Sequence, residues 1–179
     1  MFSLFRRSSN KALIDRLHGE IMAGARQPEF FLRYGVADTV EGRFELLCLL
    51  ATVALRRIEM LPAPAPEIAQ ELTDSVFAHF DVALREIGVG DLTVPKKIKK
   101  MAQGWLGRGS VYRQALVERE EAALSLAIAR NVFGDANAAA EPAATRLARY
   151  ALALDAAFSA LRLEDLGVIP LTFTDPATV

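Results

Sequence analysis

The sequence predicts an all-α protein, a single-domain irregular bundle of about six or seven helices around a mostly buried central helix at about 39–60. Three observations carry this. Apolar residues recur at helical spacing in several long segments, and proline and glycine separate those segments. Period-two alternation is absent over any useful length, except in the tail Val168 to Phe173. With 179 residues, 52% of them apolar, the chain can fill one sizeable core. The helical domain is placed at 10–167, after a basic, partly apolar arm at 1–9 and before a tail at 168–179.

Ser8, Ser9 and Asn10 are suitable N-caps for a first helix to about Ala25, along which Leu13, Leu17, Ile21 and Met22 recur at helical spacing. Pro28 starts a short aromatic turn, Phe30-Phe31-Tyr34. Asp38 and Glu41 resemble a capping box that opens the central helix. At about 100° per residue, Glu45, Thr52, Arg56 and Glu59 form one narrow polar stripe, and Leu46 to Ile58 supply apolar residues to most of the remaining circumference. The segment LPAPAP ends that helix. Pro66 suits the first turn of the next, which sets Ile68, Leu72, Val76, Phe80, Ala83 and Ile87 on one face and stops at Gly88. A further helix begins near Thr93, weakens at Gly104, Gly107 and Gly109, and resumes from Val111 to Val132. After an Ala-rich loop at 136–144, the last helix runs from about Glu141 to Leu163, with Leu147, Tyr150, Leu154, Phe158 and Leu161 on one stripe.

A net charge of −1 leaves attraction to phosphate or lipid to a local patch rather than to the whole surface. The single cysteine, Cys48, lies in the run Leu46 to Leu50, so no internal disulfide or C-x-x-C motif exists and the residue reads as core. The longest apolar run, Leu46 to Leu55, is half of the roughly 20 residues a membrane-spanning helix needs.

Catalytic and metal readings are poorly supported. His18 and His79 have no H-x-x-x-H or H-E-x-x-H partner, so neither forms a recognisable metal half-site. Gly88-Val89-Gly90-Asp91 follows a helix and lacks the G-K-[ST] of a phosphate cradle. Glu118, Glu120, Glu121 and the Glu164-Asp165 pair sit among arginines, as surface charge does. With no nucleophile and orienting base at suggestive spacing, the reading is a non-enzyme without a cofactor or metal.

The most distinctive stretch is REIGVGDLTVPKKIKKMAQGWLGR, residues 85–108. On a helix, Val94, Ile98, Met101 and Trp105 share one side while Lys96, Lys97, Lys99 and Lys100 share the other. Structurally this is a core stripe with a solvated lysine face; functionally it is a docking surface for head groups, ribosomal RNA or an acidic protein. Each lysine near an anionic leaflet contributes about 1 kcal/mol. Burial of Trp105 would stabilise the fold by about 2–3 kcal/mol, which favours core over groove for that face.

Two blocks, ARQPEFFLRYGVADTVEGRFELL (25–47) and REIGVGDLTVPKKIKKMAQGWLGRGSVY (85–112), resemble the ubiquinol-cytochrome c chaperone family. The resemblance implies an all-helical assembly factor acting on newly made cytochrome b, not a catalyst. Asp38, Gly42, Arg43 and Glu45 match in the first block, and Gly88, Gly90, Asp91, Lys100, Gly107 and Arg108 in the second. The chain departs from the family pattern at Leu50, where a histidine is usual, and at Leu106, where an aromatic is.

Arg43 and Glu45 stand at the head of the buried helix, where an unpaired charge is costly, so Arg43 is expected to pair with a carboxylate from another segment, Asp91 first. The resulting expectation is a chaperone that binds cytochrome b or another respiratory subunit, with Lys96, Lys97, Lys99, Lys100, Trp105 and Arg108 as the partner or anionic surface. The alternative is a peripheral membrane- or ribosome-binding adaptor acting through the lysine helix alone. A helical protein partner fits either, and DNA fits neither. The expected location is the bacterial cytoplasm and the inner-membrane periphery, or the matrix side in a mitochondrion.

Overall fold

A computed structural model describes residues 2–134 and 142–178, with side chains from Asn10 onward. Among these residues the chain forms seven α-helices and no strand: α1 (Phe2–Gly24), α2 (Pro28–Leu32), α3 (Val40–Glu59), α4 (Ala65–Glu86), α5 (Val94–Glu118), α6 (Glu121–Val132) and α7 (Pro142–Phe158). The side chains of the 1–9 arm, and residues 135–141 of the Ala-rich stretch with the expected helix start at Glu141, lie outside this description.

The fold is the predicted helical bundle around a central helix. α3 packs against α1, α4, α5, α6 and α7, and every residue from Glu45 to Leu55 is buried. Each large apolar side chain withdrawn from water in this way stabilises the fold by about 1.5–3 kcal/mol, which makes α3 the organising element. Its polar stripe is partnered too. Thr52 donates to the Cys48 carbonyl at 2.7 Å, and Arg56 reaches Asp155 of α7 at 2.6 Å.

Several boundaries differ from the sequence reading. α1 starts at Phe2, ahead of Ser8, and the expected aromatic turn is a short helix, α2. Thr39, not Asp38, caps α3, its hydroxyl accepting from the Gly42 amide at 3.1 Å. α4 ends as predicted, with Gly88 in the left-handed region at φ +84°, but its last inward residue is Leu84 and Ile87 is 64% exposed. α5 runs unbroken through Gly104, Gly107 and Gly109, because its packing against α3, α4 and α6 offsets the low helix propensity of glycine. The break between α5 and α6 falls instead at Arg119, at φ +54°, where no glycine announces it.

The C-terminal segment is irregular but pinned. Leu171 and Phe173 are buried, Glu20 accepts from the Leu171 amide at 2.9 Å, and Tyr34 and Tyr150 donate to the Pro176 and Thr174 carbonyls. Phe173 lies flat on Gly24, where any Cβ would enter its ring.

Candidate functional site

Four helices meet around an apolar pocket of about 240 Å³. Its walls are Met22 of α1, Phe44 and Leu47 of α3, Phe80 and Leu84 of α4, and Met101 of α5. Arg26, Val40, Arg43 and Ile87 stand at its lip, with Val40 59% exposed. An apolar pocket with a cationic lip can hold an apolar segment and attract an acidic flank.

The amphipathic pattern of α5 delivers Met101 to this pocket. Val94 and Trp105 are buried on the same side, Ile98 is half-buried, and Lys96, Lys97, Lys99 and Lys100 all face solvent, as the sequence predicts. Trp105 is a core residue, packed edge-on to Phe77 with ring centroids 5.5 Å apart. Its outer edge also borders a wider groove of about 540 Å³ between α3 and α5, flanked by Leu106 and Arg113.

The charged residues at the head of α3 do not pair as expected. Arg43 is half-exposed and donates to Asp38 at 2.6 Å, while Asp91 is engaged by Arg85 at the α4–α5 turn. The physical reason is helical geometry: positions 43 and 45 stand about 200° apart, so only one can face the interior. Glu45 takes that place, and its partner is Arg108 of α5, which grips both carboxylate oxygens through Nε and Nη2. Burial raises the Glu45 carboxyl above its ordinary value, with Arg108 opposing the rise. Burial would lower Arg108 in turn, but the hydrogen bond and charge of Glu45 outweigh it and hold the guanidinium ionised.

Arg108 also lies over the ring of Phe44, 5.7 Å from its centroid, and Phe44 packs on Phe80 at 5.5 Å. The pair thus buttresses one wall of the pocket from behind. Gly42 is required by packing, because a Cβ there would overlap the Ala37 carbonyl oxygen. Gly90 accepts from the Thr93 amide at 2.7 Å and, with Gly88, shapes the α4–α5 turn.

The structure therefore gathers Arg43, Met101 and, behind Phe44, the Glu45–Arg108 pair. It leaves Asp38 beside the pocket lip on Arg43, and Gly88, Gly90 and Asp91 on the α4–α5 turn outside the pocket lining. Sequence reasoning missed Met22, Phe44, Phe80 and His79 as pocket residues; the first three follow apolar spacing that period alone assigns to the core, and His79 reads as a lone histidine without a partner. His79 also packs edge-on to His18 across α1 and α4, ring centroids 5.3 Å apart, with His18 Nδ1 2.8 Å from the Ser75 hydroxyl. Among the described residues no group of three or more metal-ligating side chains converges, and no helix is long and apolar enough to cross a membrane.

Comparison with known proteins places this arrangement. The chain is similar over 99% of its length to a crystal structure of the Cbp3 homolog from Brucella abortus, covering 98% of that chain with 35% identity and a TM-score of 0.86. No curated protein matches. The family model described as ubiquinol-cytochrome C chaperone matches residues 32–173, which takes in the first sequence block from residue 32 onward, all of the second, and every helix from α3 to α7. This chain belongs to the ubiquinol-cytochrome c chaperone family.

Proposed function

We propose that the protein is a non-enzymatic assembly chaperone for the ubiquinol-cytochrome c reductase complex, and that it holds newly made cytochrome b through an apolar segment seated in the α1–α3–α4–α5 pocket. The observation that carries this reading is the pocket itself. The first sequence block shared with the family supplies Ala25, Arg26, Val40, Arg43, Phe44 and Leu47 to it, and the second supplies Ile87 and Met101. A client awaiting its partners exposes apolar surface, and a lined pocket with a charged lip shields such a segment without needing catalytic groups. The site of action is the cytoplasmic face of the inner membrane, where the client is made.

The test is deletion of the gene in its host, followed by difference spectra of washed membranes for b- and c-type haem and by reductase activity. Selective loss of this complex, restored by the wild-type gene, is expected. A photo-crosslinker at Val40, on the pocket lip, is expected to capture cytochrome b, whereas one at Glu67, exposed at the start of α4, is not. Normal complex levels in the deletion strain, or equal capture from both positions, overturns the reading.

A further inference from the structure

We propose that the α4–α5 turn and the first turns of α5 form a docking element for an anionic bilayer surface, with lysines meeting lipid phosphate and Leu92 and Ile87 entering the interface. The inference goes beyond the client reading and does not depend on it.

Charge use within the chain singles out this element. Four of its five lysines are Lys96, Lys97, Lys99 and Lys100. The fifth, Lys11, pairs with Asp15, and the arginines nearby are also engaged: Arg85 with Asp81 and Asp91, Arg113 with Glu59. None of the four α5 lysines has an ion pair or hydrogen bond among the described residues, and all are exposed. Glu86 is the exposed carboxylate on the same turn; counting Arg85 with the lysines, five cations stand against Asp81, Glu86 and Asp91. The patch is locally positive on a chain whose net charge is −1.

The apolar component lies at the tip. Leu92 is 91% exposed, more than any other large apolar side chain among the described residues, and Ile87 is 64% exposed on the same turn. An aliphatic tip followed by free, exposed lysines on the first turns of α5 matches the two-part chemistry of an interfacial anchor, shallow apolar insertion plus attraction to anionic lipid. RNA surfaces instead favour aromatic rings and arginine planes for stacking, and this tip presents neither free. Because Ile87 and Met101 also line the apolar pocket, docking by this tip would set the pocket mouth close to the bilayer.

The test uses the full chain in vesicle flotation, comparing phosphatidylcholine alone with phosphatidylcholine containing about one-third phosphatidylglycerol, at low and high salt. Binding only to the anionic vesicles, weakened by salt, is expected. Reversal of Lys96 and Lys97 to glutamate should weaken it at least tenfold, and Leu92→Ser about fivefold, with unchanged melting temperatures because these side chains are exposed. A polarity-sensitive dye on Leu92→Cys should shift to the blue on anionic vesicles; Cys48 is buried, its thiol raised well above the usual value, and so stays unlabelled. Absence of binding, equal binding to neutral vesicles, indifference to Leu92→Ser, or tighter binding of single-stranded polyuridylate than of vesicles each overturns the proposal. Capture of cytochrome b from Val40 in detergent is expected to survive the lysine reversals, which separates failure of the membrane proposal from failure of the client one.

Discussion

Arg108 closes on both carboxylate oxygens of Glu45 from 63 positions away, joining the two sequence blocks that mark the family. The other polar residues of the α3 stripe find partners as well, on more than one helix. Thr52 donates to the Cys48 carbonyl within α3, Arg113 of α5 pairs with Glu59, and Arg56 pairs with Asp155 of α7. The two blocks are thus one structural unit at the α3–α5 contact, set against the wall of the apolar pocket.

Removing one partner of this pair should cost more than exchanging it for a neutral mimic. Arg108→Met leaves the less exposed Glu45 carboxylate without its cation, and a loss of roughly 2–4 kcal/mol is expected in urea unfolding. Glu45→Gln leaves Arg108, which is more exposed and able to reach water, and should cost less. The Glu45 carboxyl is already raised by burial, so folding favours its protonated form. In Arg108→Met the penalty is therefore full above the raised value and shrinks as pH falls through it. A penalty that grows on acidification contradicts this.

Two glycines of α5, three positions apart, should respond in opposite senses to alanine. At Gly107 an added Cβ meets nothing within 4 Å, so Gly107→Ala should stabilise by about 0.5–1 kcal/mol through helix propensity. At Gly104 the Cβ would overlap the Arg108 guanidinium, which Glu45 holds in place, so Gly104→Ala should destabilise by about 1 kcal/mol. In an Arg108→Met background the obstacle is gone, and Gly104→Ala should then stabilise. A double-mutant cycle reads this coupling directly.

The contrast between these glycines shows what was legible in the sequence. Composition and period disclosed the bundle, the central helix, the cationic face of α5 and the stop at Gly88. They did not disclose what covers a polar stripe: Glu45 and Thr52 are only 8% and 4% exposed, although their spacing alone marks a solvent face. The missing information is the partner helix, because Arg108 and Arg113 supply the complement from a segment that sequence period treats as weakened. The pocket was hidden for a related reason. Phe44 and Phe80 follow core spacing, and only the placement of α1 against α4 leaves space between them. Arg119 carries no compositional signal for the break after α5, since its left-handed conformation follows from how α6 docks.

Gly42 has a different requirement from the α5 glycines. Its Cβ would strike the backbone carbonyl of Ala37, which cannot move aside as a flexible side chain can. Gly42→Ala should therefore destabilise by roughly 2–4 kcal/mol, despite the propensity gain in the first turn of a helix. Because Thr39 caps α3 onto the Gly42 amide, the displaced segment should also fray that end. Hydrogen exchange localised to residues 36–43 is the check, and protection unchanged from wild type would count against the packing account.

The His18–His79 contact predicts where acid weakens the fold. Burial lowers the His18 imidazole from its ordinary 6.5, and His79 and Arg26 lower it further while Asp15 opposes them. The folded state then binds this proton less readily than the unfolded one. Its contribution is full above the unfolded value and is lost as pH falls from there through the lowered folded value. Protonation would add a positive charge at His18 beside His79 and Arg26, opposed by Asp15, at the α1–α4 seam, which His79 and Met22 share with the apolar pocket. Between about pH 8 and about pH 5, wild type should lose more stability than His18→Gln, which keeps a polar contact for Ser75 but cannot titrate. The seam should also exchange faster at the acid end than the α6–α7 contact does. Identical pH profiles for wild type and His18→Gln would show that acid acts elsewhere.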